Sequence, residues 1–317
     1  MLLKKGYSFN NIGDALGRAK SAIWTEVNRN LVKGTYDPKK AKHKAYVRRQ
    51  NAKYQGMKIV QDKALKAFVH TSLLVGQSPA GISNRLKHKR EKGIQYISKE
   101  SIYRYITSPY GRQLEAKLEK MSRKKKYRKK RKPLGILDGR TFIDKRPKHI
   151  NARMRVGDAE FDFIVSGRDG HGILLTVVDR KVRKSFLEPI YEVSIPAVHR
   201  AMQKIKERYP EWNTGTTDND LLFRQHKILE KLISIRIYFC HPYHSWEKGS
   251  IENVNWEIRK DVPKGSDISK YSHSFFKKLE LKLNGRFMDC LDGRTPDEAM
   301  EICRKQKKLR DLRSRKK

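Results

Sequence analysis

The chain has 317 residues, and its 73 Lys and Arg against 34 Asp and Glu leave a formal charge of +39. So large an excess exceeds what solubility requires and implies a polyanionic partner, because neutralising phosphates releases condensed counterions. Double-stranded DNA is the expected partner, with no membrane and no small-molecule substrate: the longest largely apolar run, Ile173 to Val178, has only six residues, too few to span a bilayer. The opening "MLLKKGYSFNNIGD" lacks a secretory core, so a cytoplasmic, nucleoid-associated protein is expected. Cys240, Cys290 and Cys303 have no CxxC pairing and read as reduced thiols. With 37% hydrophobic and 34% charged residues, the chain is expected to be multidomain.

In chain order, Ser8 reads as the N-cap of a helix with Ile12 and Leu16 on one face, ending at Gly17. A second helix follows in "RAKSAIWTEVNRN", with Ile23 and Val27 four apart. Two short helices about a glycine turn predict a helix-turn-helix over 1–50. Its second helix would present Lys20, Ser21, Trp24 and Thr25 to a major groove. Only "MLLKKGY" precedes Ser8 where a supporting helix is needed, so a truncated first unit is expected. A second helix-turn-helix is predicted over 57–110. Leu65, Phe68, Val69 and Leu73 share one helix, Ser78-Pro79 starts the next with Ile82 and Leu86 inward, and Ser98 caps a third whose Lys99, Tyr103 and Arg104 are free to meet DNA.

Residues 111–148 read as a basic linker centred on "RKKKYRKKRK", Arg123 to Lys132, and 286–317 as a basic, solvated tail. Between them, 149–285 changes character. "EFDFIVSG", "GILLTVVDR" and "KSFLEPI" predict three strands, "SIPAVHRAMQKIKERY" a helix, "EWNTGTTD" a strand, "FRQHKILEKLI" a helix, "IRIYFC" a strand and "HPYHSWEKGSIENVNWEIRK" a final helix. The order β-β-β-α-β-α-β-α predicts a mixed sheet with helices on its faces, as in a ribonuclease-H-like α/β domain. The fold class is thus an all-α tandem helix-turn-helix region followed by that α/β domain.

Within this basic domain three acids draw attention: Asp162 inside the first strand between Phe161 and Phe163, Asp218 ending the fourth, and Glu252 near the start of the last helix, with Gly249 or Ser250 as its cap. Brought together they would repel, which raises a pKa or recruits a hard cation, and Mg²⁺ meets that need. Two such ions about 3.5 to 4 Å apart would suit in-line attack at phosphorus, with Mn²⁺ as a substitute. Each acid also has an ordinary reading. Glu252 suits a helix N-terminus, Asp218 a turn, and Asp162 an arginine pair.

Several segments together resemble the IS-thirty family of bacterial insertion-sequence transposases, within the DDE transposases and retroviral-integrase-like enzymes. "GRAKSAIWTEVNRNLVKGTYDPKKA" is similar to the family's first helix-turn-helix, "SPAGISNRL" and "SKESIYRYI" to its second, and "GDAEFDFI", "LLTVVDRKVR", "TTDND" and "YFCHPYHSWEKGSIENVNWEIRKDVPKGSDI" to its catalytic region. "LNGRFMDCLDGRTPDEAM" resembles its closing segment. The resemblance implies Asp162, Asp218 and Glu252 as the catalytic, metal-binding acids, with 252 − 218 − 1 = 33 residues between the last two, the family's spacing. It also implies Lys248, Arg259 and Lys260 at DNA phosphates, Tyr243 or Trp246 stacking on a displaced base, Asn253 orienting the glutamate or phosphate, and Glu247 and Glu257 as surface charges. The implied activity is binding to terminal inverted repeats, metal-dependent cleavage and joining of a 3′-hydroxyl to target DNA by a homo-oligomer. The chain departs from the family's G-x-W-E-x-D at Ala159, and Asp158 and Asp220 stand as rival ligands. A non-catalytic repressor derived from such an element, and a plain nuclease, are the competing readings; joining of DNA ends separates them.

Overall fold

The computed structural model describes residues 2–52, 57–115, 139–241 and 244–314. The block Arg123 to Lys132, Tyr243 and the side chain of Trp246 lie outside the described residues. The chain divides into two compact units, 1–74 with 97–119, and 75–96 with 120–317. The span 57–110, read as a separate domain, is divided between them.

In the first unit a 3-10 turn, Leu2–Lys5, precedes α1 (Phe9–Leu16) and α2 (Lys20–Asn30). The Ser8 hydroxyl accepts from the Asn11 N–H, and Gly17 closes α1 at φ 61°, a left-handed conformation cheap only for glycine. Ile12, Ile23 and Val27 are buried together with Leu2, Leu3, Phe9 and Tyr36 against them. The turn at Leu2–Lys5 therefore supplies packing that a preceding helix is expected to provide. α3 (Pro38–Ala52), α4 (Lys58–Gln61) and α5 (Lys63–Leu74) follow.

α6 (Pro79–Lys87) belongs to the second unit, and α7 (Lys99–Ile106) and α8 (Arg112–Glu115) to the first. Ser78 and Ser98 cap α6 and α7 through the Gly81 and Ser101 N–H groups. Ile82, Leu86, Ile102 and Ile106 are buried as their spacing predicts.

The second unit continues with α9 (Lys148–Asn151) and a five-stranded sheet, β1 (Asp158–Val165), β2 (Ile173–Asp179), β3 (Ser185–Ile190), β4 (Thr214–Thr217) and β5 (Arg236–Phe239). The spatial order is β3-β2-β1-β4-β5, with β1–β2 and β2–β3 antiparallel and β1–β4 and β4–β5 parallel. Parallel neighbours need crossovers, which α10 (Ile195–Arg208) and α11 (His226–Ile233) supply before β4 and β5. α12 (Gly249–Asp261), α13 (His273–Asn284) and α14 (Pro296–Ser314) complete the unit. The strand and helix order read from the sequence is thus the observed order.

Alternation along β1 assigns its side chains to two cores. Phe161 and Phe163 join Trp212, Phe223, Val198, Met202, Ile205 and Met300 on one face. Ile164, with Leu174 and Val178 of β2, joins Ile251, Val254 and Ile258 of α12 and Phe276 of α13 on the other. β2 is buried along its whole length, as a central strand covered on both faces must be. Gly215 lets β4 pass beneath Phe161, since a Cβ there would lie 2.3 Å from the ring. The C-terminal segment, read as a solvated tail, instead forms α14. Its Ala299 and Met300 enter the core and Arg304 pairs with Glu211 at 2.7 Å, so apolar burial overrides charge repulsion in its first half.

Candidate active site

The parallel register of β1 and β4 pairs Glu160 with Thr216. Carried two residues further, it sets Asp162 beside Asp218, just past the end of β4. Two carboxylates 218 − 162 = 56 positions apart in the chain become neighbours through that register. Between them lies Lys248, its Nζ 3.3 Å from Asp162 Oδ1 and 3.4 Å from Asp218 Oδ2. Asp162 is further held by Asn255 Nδ2, 2.9 Å from its Oδ2, and by the Phe163 N–H.

Glu252 enters from the first turn of α12, whose position is set by Glu160. That buried carboxylate, two residues before Asp162 on the same strand face, accepts from the N–H groups of Ser250 and Ile251 at 3.0 Å each and lies 3.3 Å from Arg180 Nε. A carboxylate at a helix N-terminus satisfies orphan donors and complements the helix dipole. Gly249 and Ser250, expected as the cap, are instead the first residues of α12, and Lys248 at the N-cap position makes no side-chain cap bond. The Ser250 hydroxyl accepts instead from Arg153 and Arg183.

Burial raises the Asp162 pKa, with Lys248 opposing the rise and Asp218 adding to it. Partial desolvation likewise raises Glu252, with Lys248 again opposing and Asp162 and Glu160 adding. Burial alone would lower Lys248, but Asp162 and Asp218 outweigh it and hold the ammonium above its ordinary value. Asp162 thus feels Asp218, Glu252 feels Asp162, and the Lys248 ammonium acts on all three. Among the described residues their ligand atoms do not all come within 4.8 Å of one another; the ammonium occupies the space between the two aspartates. A place that holds a cation among carboxylate oxygens fits a hard divalent ion.

The rival acids have other partners. Asp158 is fully buried at the start of β1, bound by Arg155 and by Thr214 Oγ1 at 2.7 Å. Asp220 accepts from the Leu222 N–H at 2.8 Å and caps a 3-10 turn. Glu247 and Glu257, expected at the surface, are both paired: Glu247 with His241 and His244, and Glu257, 9% exposed, with Lys260 and Arg286.

Lys248, expected at DNA phosphates, is 5% exposed and turned to the acids, because two carboxylates compensate its desolvation. Arg259 is half-buried, donating to the Pro263 and Val165 carbonyls, and Lys260 lies over the Trp256 ring at 4.3 Å. Asn253 is exposed, and the amide that reaches Asp162 belongs to Asn255.

No protein-family model matches the chain. A transposase for insertion sequence element IS4351 of Bacteroides fragilis is 34% identical over 306 residues, 94% of this chain and 91% of that protein. The chain belongs to the IS30 family of insertion-sequence transposases. Transposase InsI for insertion sequence element IS30A of Escherichia coli is 27% identical over 93% of the chain and 79% of its own length. The transposase for element IS1086 of Cupriavidus metallidurans is 29% identical over 89% and 85%. A chain of a solved simian T-cell lymphotropic virus intasome aligns over 40% of this chain and 48% of its own, at 12% identity and a TM-score of 0.33.

In this transposase the residues of α2 and α7 expected to read DNA are accessible. Lys20, Ser21, Trp24 and Thr25 lie on the exposed face of α2, and Lys99, Tyr103 and Arg104 on that of α7. Trp24 is 55% and Tyr103 54% exposed. Nothing in the sequence pattern marks Asn255, Arg153 or Arg183 as parts of the site. For Glu160 the signals are its place as the glutamate of the G-x-W-E-x-D pattern and its i, i+2 relation to Asp162, which puts both on one face of β1. No described helix is long and apolar enough to cross a membrane.

Proposed function

We propose that this transposase binds the terminal inverted repeats of its element, cleaves DNA at the element's ends and joins the resulting 3′-hydroxyl to target DNA. Asp162, Asp218 and Glu252 are the acids that hold the divalent ion, Mg²⁺ with Mn²⁺ as substitute. The observation that carries this reading is the buried ammonium of Lys248 between Asp162 and Asp218, with Glu252 coupled to that ammonium and to Asp162. When bound, the metal supplies Lewis-acid stabilisation of charge on phosphate oxygens and activation of the attacking oxygen. The protein's own part is orientation. Asn255 and the Phe163 N–H hold the Asp162 carboxylate, and Glu160 holds the helix that carries Glu252.

DNA reading is assigned to α2 and α7. α1 and α2 about Gly17 form the first helix-turn-helix, and α7 is the reader helix of a second module. Their exposed residues have the composition that groove recognition uses, with Arg and Lys for phosphates or guanine edges and Ser and Thr for either. The protein is proposed to act as a homo-oligomer, in contact with element ends and target at once.

The test incubates purified protein, labelled element ends, target plasmid and Mg²⁺, and looks for joined products. Asp162→Asn, Asp218→Asn and Glu252→Gln should each abolish joining while end binding persists. Full joining by any one variant removes that residue from the site, and hydrolysis without joining by the native chain supports a plain nuclease instead.

A further inference from the structure

The loop between β5 and α12 carries a second set of converging donors that the proposed reaction does not use. Among the described residues, His241, His244 and Glu247 form the group of three whose ligand atoms all lie within 4.8 Å of one another. His241 Nδ1 is 3.0 Å and His244 Nδ1 3.3 Å from the same Glu247 oxygen, Oε1. Bonds of about 2.0 to 2.1 Å place neighbouring ligand atoms of a tetrahedral zinc site about 3.3 Å apart. The observed separations are close to that edge.

The donors are also held in place. The other Glu247 oxygen, Oε2, accepts from the His241 N–H at 2.9 Å, which turns Oε1 toward the two rings. His241 Nε2 lies 2.6 Å from Asp144 Oδ2, and its ring stacks on Phe142 at 5.5 Å between centroids and 10° between planes. Phe142 is fastened to the sheet by a bridge to Phe239, beside the hydrogen bond from the Phe239 N–H to the Thr141 carbonyl. A carboxylate that accepts a hydrogen bond from Nε2–H fixes the proton there and leaves Nδ1 as the lone-pair donor, the usual support for a histidine that ligates metal. All three side chains remain partly accessible, at 30%, 43% and 15%, so an ion and a completing water can enter.

We propose that His241, His244 and Glu247 bind one borderline divalent transition ion, Zn²⁺ foremost, independently of the aspartate site, with Asp144 orienting His241. Two imidazoles and one carboxylate select Zn²⁺, Co²⁺ or Ni²⁺ over Mg²⁺, which prefers oxygen ligands throughout. The ion would fasten the loop that leads directly into Lys248 and α12. Its role is structural support for that approach.

The experiment uses the untagged full chain, stripped with chelator and titrated with Co²⁺, read by the visible absorption of tetrahedral cobalt. One equivalent per chain, displaced by Zn²⁺, is expected. His244→Gln and Glu247→Gln should each weaken binding at least tenfold, and Asp144→Asn by about 10- to 100-fold. The combined variant Asp162→Asn, Asp218→Asn, Glu252→Gln should keep the signal, which separates this site from the proposed catalytic one. Absence of a stoichiometric band in the native chain overturns the proposal. So does an unchanged band in His244→Gln and Glu247→Gln, which marks adventitious surface binding, or loss of the band in the combined variant while its circular dichroism stays native. Because His244 is substantially exposed, its replacement provides a folded control for the less accessible Glu247.

Discussion

Glu160 shows how one buried charge can organise a site without belonging to the three acids proposed to hold metal. Its carboxylate is 1% exposed and takes two backbone N–H groups at the start of α12. Hydrogen bonds to a charged acceptor contribute about 1.5 to 3 kcal/mol each. Glu160→Gln keeps the shape but loses the charge and one acceptor oxygen. The first-turn amides of α12 should then open more easily by about 2 kcal/mol, seen as roughly 30-fold faster hydrogen exchange. Joining activity should fall as well, because the same turn carries Glu252. Unchanged exchange at Ser250 and Ile251 would show that Glu160 does not hold the helix.

Among the elements, α6 is held by partners remote in sequence. Gln77, just before it, exchanges hydrogen bonds with the Gly285 carbonyl and the Phe287 N–H at 2.9 and 2.8 Å. Arg85 binds both Glu298 oxygens at 3.0 Å, pairs with Glu91 at 2.6 Å and covers the Phe287 ring at 4.3 Å. Arg85 holds the Glu298 carboxyl below the ordinary carboxylate range, chiefly through these hydrogen bonds. A lowered carboxylate stabilises the folded chain above its unfolded pKa and loses that contribution as pH falls through the folded value. Glu298 is 41% exposed, so solvent screening limits the effect to about 1 kcal/mol. Glu298→Gln should therefore speed amide exchange in α6 near neutral pH, and the difference from the native chain should vanish in acid. A cost that persists below the lowered pKa would assign the effect to packing instead.

For the whole molecule, the formal charge of +39 dictates that binding to DNA weakens steeply with salt. Replacing the Lys and Arg of Arg123 to Lys132 by Gln should reduce the slope of log affinity against log salt, by about 0.9 for each phosphate that is no longer neutralised, while sequence preference changes little. An unchanged slope with altered preference would place base reading in that block.

The element order was legible because apolar periods and caps are local: Ser8, Ser78 and Ser98 cap the helices that their positions announce, and β2 reads as one nearly unbroken apolar run. The positive charge and its implied partner are sums over residues and need no fold. Burial and register are not local. Lys248 looks like any basic residue until Asp162 and Asp218 arrive on either side of it, and Glu257 like a surface charge until Arg286 and Lys260 meet it. α14 likewise reads as a solvated tail until Ala299 and Met300 reach the core. Sequence alone determined which side chains carry charge and where the chain turns helical or extended. Tertiary structure decided which charges face each other, because the parallel pairing of β1 with β4 joins Asp162 to the distant Asp218 and a single buried carboxylate then aims the helix that completes the group.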